Sequence, residues 1–553
     1  MKPLIFMFFT LGQFLMGNEI SQGPFIRINQ LGYLLDEHKK AIVFSHERVS
    51  EVFRLIDDKN EVAATIRPIK SKQEGWGTFK YYYELDFSQV NIEGTYFIQG
   101  KKSKSRSNIF KIGNDVYKQK PEVLLGFMRQ QRCGYNPYFD MVCHHRDGRS
   151  AYGPIPDGTF VDASGGWHDA GDQLKYLITG SYATAHMLMA YELYPAAFGD
   201  QVNALGQPLP NGIADVLDEA KWGLDWILKL HPESNQLIHQ IADDRDHIGW
   251  KMPDEDSSDY GWGKNSYRVA YFATGEPQGL NKYKSEANGV SNLAGRSAAA
   301  LALAARIWSR DVKDSVFAQN CLAAAKSLYN LGKEKEGFQQ GNSFGAPYRY
   351  SEKTWADDME WGAAELYKST GNSSYLSEAK EYALRANTVS WMPKDSVGHF
   401  ALYDQVDDNF QKTLAAYYIS GLEDNLKRAS KNAYNIGVPF IWCSNNLLTS
   451  LITQGILYEN MTGDKSYHQF LVEQRDWLFG RNPWGTSMFT KMPETGEYPI
   501  DVHTSTWALT KREVAGGLVD GPVYASIFNS LKGLRMDNPD EFEAFQNKFV
   551  VYH

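Results

Sequence analysis

One change of period divides this chain. From Phe25 to about Ile112 the sequence runs in short stretches rich in β-branched and aromatic residues (FIRINQLGY, KAIVFS, VFRLID, YYYELDF, GTYFIQG), several of them alternating and all separated by turn residues. After residue 113 the apolar residues return with helical spacing instead. A repeat of two serves one face of a strand and a repeat near 3.6 serves one face of a helix, so the two parts must fold as different layers. Strands at this spacing predict a small β-sandwich of immunoglobulin type over residues 24–113. Within it, KKSKSRSN reads as a solvated hairpin or edge.

The helical part spans residues 114–553. NGIADVLDEAKWGLDWILKL starts at a capping Asn211 and sets Ile213, Val216, Leu217, Ala220, Leu224 and Ile227 along one face. LAGRSAAALALAARIW is apolar nearly all round and predicts a buried helix. TGNSSYL (370–376) and TGDKSYH (462–468) each join two helices through a glycine. Recurring units of this kind predict stacked α-hairpins closing into a ring or solenoid. With 553 residues, two or three domains are expected. The opening MKPLIFMFFTLGQFLMG has one lysine and a short apolar run, which predicts an export signal over residues 1–17. The expected location is therefore secreted or periplasmic, with no membrane insertion. A net charge of −9 without a long basic run argues against nucleic acid as partner. A monomer is expected.

Several reaction classes drop out early. No P-loop, dinucleotide fingerprint or H-E-x-x-H string occurs. GNSFG (341–345) copies the nucleophile-elbow string, but Pro347 follows it in a loop-like context, without the strand and helix that an elbow requires. GGWHDAGD (165–172) is different: it crowds Asp169 and Asp172 beside glycines and His168. Two carboxylates on one tight loop can share a water, as glycosidic hydrolysis requires of its base, or they can simply cap backbone amides in a turn. CGYNPYFDMVCHH adds Cys133, Cys143 and His144, which with His168 make two thiols and two imidazoles. That set suits a tetrahedral Zn2+, while a Cys133–Cys143 disulfide satisfies the same spacing. Cys321 and Cys443 read as packed thiols. An aromatic share of 14% suits a surface that grips flat, amphipathic ligands or, equally, a large core.

GGWHDAGDQLKY, LPNGIADVLDEAKWGLDWILKL, SNLAGRSAAALALAARIW, WADDMEWGAAELYKSTGN, GVPFIWCSNN and LFGRNPWGTS, in this order, resemble the family 9 glycoside hydrolases, and RINQLGY resembles the immunoglobulin-like module that precedes some of them. The resemblance covers essentially everything after residue 113. It implies an (α/α)6 barrel and an inverting hydrolase of β-1,4-linked glucans or their oligosaccharides. By the same resemblance Asp172 is the general base and Asp169 its partner on the nucleophilic water. Zn2+ on Cys133, Cys143, His144 and His168 is implied as a structural ion, and Ca2+ at Asp357 and Asp358, two acids that also suit an ordinary helix start. His503 matches a sugar-contacting histidine, but Thr504 and Ser505 stand where the family usually carries an arginine. That departure points to a shortened cleft or a decorated glucan. Trp442, Trp484 and Trp250 are candidate sugar platforms or core residues. The family's acidic glutamate has no counterpart: FQNKFVVYH approaches its position, no Asp or Glu follows Glu543, and Glu541 and Glu543 read as a solvated helix face. The barrel therefore reads as cut short, with a glycan-binding protein or an impaired enzyme as the alternative.

Overall fold

The computed structural model describes residues 23–73, 79–247, 249–387, 397–500, 502, 504–528 and 549–552. The expected signal segment 1–17, His503, Glu541 and Glu543 lie outside the described residues.

The first part is the expected sandwich. Its described strands are β1 (Phe25–Arg27), β2 (Gly32–Tyr33), β3 (Lys40–Ser45), β4 (Phe53–Asp57), β5 (Val62–Ile66), β6 (Ile69–Lys70), β7 (Tyr81–Asp86), β8 (Gly94–Gly100) and β9 (Phe110–Ile112). They form two sheets, ordered β1-β3-β7-β6 and β2-β9-β8-β4-β5. β3 and β7 pair antiparallel from Lys40↔Asp86 to Ser45↔Tyr81. Their inward residues Ala41, Val43, Tyr83 and Leu85 meet Leu55, Ile98 and Phe110 of the other sheet in one core. The opposite face of the first sheet is not solvent-exposed, because Ile42, Phe44 and Tyr82 belong to the core of the helical part. A strand covered on both faces needs no polar side. This explains the unbroken apolar run in KAIVFS.

Beside that apolar contact, the joint between the two parts carries buried polar bonds. Asn29 Nδ2 donates to Asp476 Oδ1 at 2.8 Å and to the Tyr117 hydroxyl at 2.8 Å. The Gln30 amide N–H donates to the Phe479 carbonyl at 2.8 Å, and its side chain donates to Gly485 O at 2.8 Å. Arg475 clasps Glu37 with two contacts of 2.9 Å. RINQLGY and LFGRNPWGTS are thus the two sides of one seam.

The second part is an (α/α)6 barrel. Its first helices are α1 (Lys120–Gln130), α2 (Leu177–Leu193), α3 (Asp215–Leu230), α4 (Ser291–Ile307), α5 (Ser315–Glu334) and α6 (Ala356–Thr370). They are followed by α7 (Ser373–Ala386), α8 (Val397–Tyr403), α9 (Asp408–Ala429), α10 (Ser444–Thr462) and α11 (His468–Leu478). The predicted all-round apolar helix is α4, which is buried along its length except at Arg306 and packs against α2, α5 and α6. Both repeat units end their first helix the same way: Gly371 (φ 69°) closes α6 and Gly463 (φ 71°) closes α10, each in the left-handed conformation. Helix α3 starts later than expected. Its N-cap is Ala214, while Asn211 spends its side chain on Asp218 Oδ2 (2.8 Å) and on the Ile213 amide (2.9 Å) in the preceding turn.

A small four-stranded sheet gathers the segments that matter for chemistry. Its strands, ordered β12-β15-β14-β13, are β12 (Arg149–Ala151), β13 (Lys175–Tyr176), β14 (Ile238–Ile241) and β15 (Val269–Phe272). The hairpin of β10 (Tyr135–Asn136) and β11 (Met141–Val142) lies upstream.

Glu122, in the first turn of α1, gives a pH-dependent prediction. Burial first, then the Asp215 carboxyl of α3, pushes its pKa to about 7, although the Gly199 amide donates to it. Because the folded value lies above the unfolded one, this group's contribution is full in acid and is lost as pH rises through about 7. Glu122→Gln should therefore flatten the decline in melting temperature between mildly acidic and mildly alkaline buffer. Parallel declines in both proteins would refute it.

Candidate active site

The GGWHDAGD loop owes its path to two glycines and a tryptophan. Gly166 has φ 72°, and a Cβ there would meet the Trp226 ring at 2.5 Å, so no other residue fits. The loop is laced to its surroundings through backbone bonds. Cys133 N–H donates to Gly166 O at 2.9 Å and His168 N–H to Gln131 O at 2.8 Å. Asp169 N–H donates to Leu174 O at 2.9 Å, just before β13.

Each aspartate then has fixed partners. Thr179 Oγ1, on the first turn of α2, donates to Asp169 Oδ1 at 2.8 Å, and the Tyr350 hydroxyl donates to Asp169 Oδ2 at 2.6 Å. Burial, then the charge of Asp172, raises the Asp169 pKa to about 6 against the pull of those two hydroxyls. Asp172 Oδ1 accepts the Leu174 amide at 3.1 Å, and its Oδ2 lies 2.9 Å from His247 Nε2. Burial opposes charge on His247, yet the Asp172 carboxylate holds its pKa above the usual imidazole value. The Tyr348 ring stands edge-on to His247 at 4.3 Å. An open cleft of about 320 Å³ is lined here by Asp172, His247, Trp250 and Tyr348, with Trp250 40% exposed.

A buried ionic frame supports the loop from below. Arg268 grips Asp147 at 2.8 and 2.7 Å, Asp246 at 3.1 Å and the Gln173 carbonyl at 2.6 Å. Lys175 joins Asp147 at 2.9 Å and the carbonyls of Ala163 and Gly165 at 2.9 Å each. The frame thus ties the residues flanking Asp172 and His247 to the strands of the small sheet. Buried charges of this kind are tolerable only when paired and fully hydrogen-bonded, which this frame achieves.

Cys133, Cys143, His144 and His168 converge beside it, with their ligand atoms within 4.8 Å of one another. Both cysteines are free thiols, so the disulfide alternative is not the arrangement seen. Cys133 Sγ lies 3.7 Å from His144 Nδ1, Cys143 Sγ 3.8 Å from His168 Nε2, and the two imidazole nitrogens are 3.4 Å apart. A tetrahedron with bonds of about 2.0–2.3 Å has edges of roughly 3.3–3.8 Å, so the donor set fits a four-coordinate metal. His144 Nε2 meets Asp256 Oδ2 at 3.1 Å, the second partner that a ligating imidazole normally has. Burial works against it, but hydrogen bonding to Cys143 and the charges of Lys175 and His168 hold Cys133 well below the usual thiol range.

Other expected residues fare differently. Trp484 is 5% exposed and packs edge-on to Trp477 at 5.8 Å, so it is core rather than platform. Trp442 is half-buried against Val523, and Trp250 lines the cleft with Asp172. Cys443 is exposed rather than packed, at the N-cap of α10, with its Sγ 3.8 Å from Asp520. Cys321 is buried as expected. GNSFG is a loop whose Phe344 amide, with those of Gly345 and Ala346, donates to the Asp244 carboxylate. Asp357 and Asp358 sit in the first turn of α6, but both Asp358 oxygens accept from Arg296, at 2.8 and 3.0 Å. A calcium ion would have to displace that guanidinium, so these residues do not fit the expected Ca2+ site. His247, Tyr348, Tyr350 and Thr179 were not identified from the sequence. The signal for His247 was the acid-rich ADDRDH run, and for the tyrosines the pair flanking Arg349.

Comparisons with known proteins agree with this architecture. The model for glycosyl hydrolase family 9 matches residues 117–548, and that for the cellulase N-terminal ig-like domain matches residues 21–105. Endoglucanase D of Acetivibrio thermocellus is 25% identical over 503 residues, covering 84% of this chain and 72% of that protein. A xyloglucan-specific endo-β-1,4-glucanase of Bacteroides ovatus is 25% identical over 538 residues, covering 90% of this chain and 85% of its own length. The crystal structure of a metagenome-derived glycoside hydrolase family 9 endoglucanase superposes with a TM-score of 0.73 at 26% identity, over 90% of each chain. With its barrel matched over residues 117–548, the chain belongs to glycosyl hydrolase family 9.

Proposed function

We propose that this protein is an inverting glycoside hydrolase that cleaves β-1,4-glucosidic bonds in cellulose-like glucans or their oligosaccharides. The observation that carries the reading is the pair Asp169 and Asp172 on one rigid loop, open to a cleft with aromatic walls. Asp172, oriented by Leu174 and His247, takes the proton of the attacking water as the C–O bond to the leaving sugar breaks. Asp169 has one hydrogen bond to each oxygen from Thr179 and Tyr350, which leaves lone pairs to hold that water in line. Trp250 and Tyr348 supply apolar faces for a pyranose ring.

We further propose that residues 1–17 are an export signal and that residues 24–113 and 114–553 are the two domains. Among the described residues no helix is long and apolar enough to cross a membrane. Zn2+ is the ion proposed for Cys133, Cys143, His144 and His168, where it would supply structural cross-linking rather than chemistry.

This reading assigns the leaving-group proton to no described residue. General acid catalysis contributes about 10²–10⁴-fold, and a dinitrophenolate departs without it. Hydrolysis of 2,4-dinitrophenyl β-cellobioside should therefore read the base alone, and its rate set against that on cellotetraose reads the proton donor. Comparable rates on the two would mean that a residue within the chain donates the proton. Proton NMR of the first product should show the α-anomer, as single displacement requires. A β-anomer would exclude the inverting mechanism.

A further inference from the structure

Asp169 receives its two hydroxyl bonds from two different segments, and one buried side chain touches both. Arg296, on α4, is 4% exposed. Its Nη1 donates to the Ile178 carbonyl at 3.0 Å, one residue before Thr179, whose hydroxyl serves Asp169 Oδ1. Its Nη2 donates to Glu352 Oε2 at 3.1 Å, two residues after Tyr350, whose hydroxyl serves Asp169 Oδ2. The remaining donors form the paired contact with Asp358 on α6. One planar fork therefore spans α4, α6, the start of α2 and the loop that carries Tyr350.

We propose that Arg296 is a positioning residue for Asp169, and that its fixed guanidinium occupies, between Asp358 and Glu352, the place a divalent cation would otherwise take. The chemistry of the contacts favours a built-in cation. Glu352, Asp357 and Asp358 gather carboxyl groups where Asp358 is 2% exposed and burial, against the pull of Arg296, pushes its pKa up, so these groups need a built-in partner. Guanidinium satisfies them with directional bonds, whereas a spherical ion would require six to eight oxygens and the departure of the arginine. Arg296 touches neither Asp169 nor the cleft residues named above. Its effect runs through Thr179 and Tyr350, so the catalytic consequence rests on the function proposed above.

The test uses the zinc-loaded full chain. Wild-type protein titrated with millimolar CaCl2 should show no saturable heat and no rise in melting temperature. Arg296→Gln should lower kcat on 2,4-dinitrophenyl β-cellobioside by about 10–100-fold with KM little changed, since a misplacement near 1 Å costs on that order. Arg296→Lys, which keeps the charge, should recover part of the loss. Glu352→Gln guards against a misfolded arginine variant. It leaves the Asp358 pair intact, and should lower kcat several-fold while melting within a few degrees of wild type. Hydrogen–deuterium exchange supplies a readout independent of turnover: in Glu352→Gln, peptides covering residues 165–180 and 341–355 should exchange faster while those of α5 and α10 do not change. Saturable calcium binding by the wild type would overturn the proposal, and so would wild-type exchange in both segments. A wild type that hydrolyses no glycoside would defeat the functional reading alone, because calorimetry and exchange still decide this one.

Discussion

Asp172→Ala is expected to reduce turnover of 2,4-dinitrophenyl β-cellobioside by about 10²–10⁴-fold, the range that a general base contributes. The activated leaving group isolates the base, since no proton needs to reach the departing oxygen. Loss of the carboxylate removes the acceptor for the water's proton and also the partner of His247 at 2.9 Å. The imidazole would then face the cleft without its counter-charge and lose its raised pKa. Binding should survive, because the cleft keeps Trp250 and Tyr348. Asp172→Asn should be nearly as inactive while holding the loop more faithfully, as an amide oxygen can still accept from Leu174. Unchanged kcat in both variants would remove Asp172 from the mechanism. Asp169→Ala should follow closely, because Thr179 and Tyr350 would lose their common acceptor.

Metal removal is expected to have the next largest effect, on stability as well as rate. Elemental analysis should find one zinc per chain, and stripping it with 1,10-phenanthroline should lower the melting temperature by several degrees. Cys133 and Cys143 are 0% and 2% exposed, and Lys175 and Arg268 lie in the same buried frame. Taking out one member of a buried charge network costs about 3–5 kcal/mol, because the remaining charges lose their compensation. Activity should fall further than stability does. His168 immediately precedes Asp169, so releasing its ring frees the backbone that aims the carboxylate. Cys133→Ser should reproduce both losses. A chain without zinc, carrying a Cys133–Cys143 disulfide by mass spectrometry, would contradict the assignment.

What could be read from the sequence followed from proximity along the chain. Asp169 and Asp172 are three positions apart, and the cysteines and histidines fall in two short clusters, so their chemistry shows in the string itself. The partners that give those groups their properties are remote. His247 is 75 residues from Asp172, and Tyr350 is 181 residues from Asp169. Periodicity carries no record of such pairings. The small sheet, which sets β13 beside β14, and the Arg268 frame bring the two loops together. The calcium expectation met the same obstacle: two adjacent acids are visible, while the arginine that pairs with Asp358 stands 62 residues earlier on a helix read as apolar nearly all round. Trp484 and Trp250 are alike as letters, and burial alone separates a core ring from a cleft ring. The apolar run of β3 was legible as a strand, but not that its second face would be covered by the barrel.

The seam between sandwich and barrel has a consequence for how this enzyme can be dissected. Beside the apolar contact of Ile42, Phe44 and Tyr82 with the barrel core, it buries amides and ions: Asn29 and Asp476 are 0% and 1% exposed and hydrogen-bonded to each other. A catalytic fragment cut near residue 113 would expose Phe44's apolar neighbours and strand Asp476 beside Arg475, now without Glu37. Such a fragment should be poorly soluble when produced alone. Co-expression with residues 24–113 as a separate chain should rescue it, since the seam would reassemble by the same contacts. The sandwich thus behaves as part of the barrel's own packing, and swapping it for a relative's should require exchanging RINQLGY and LFGRNPWGTS as a pair.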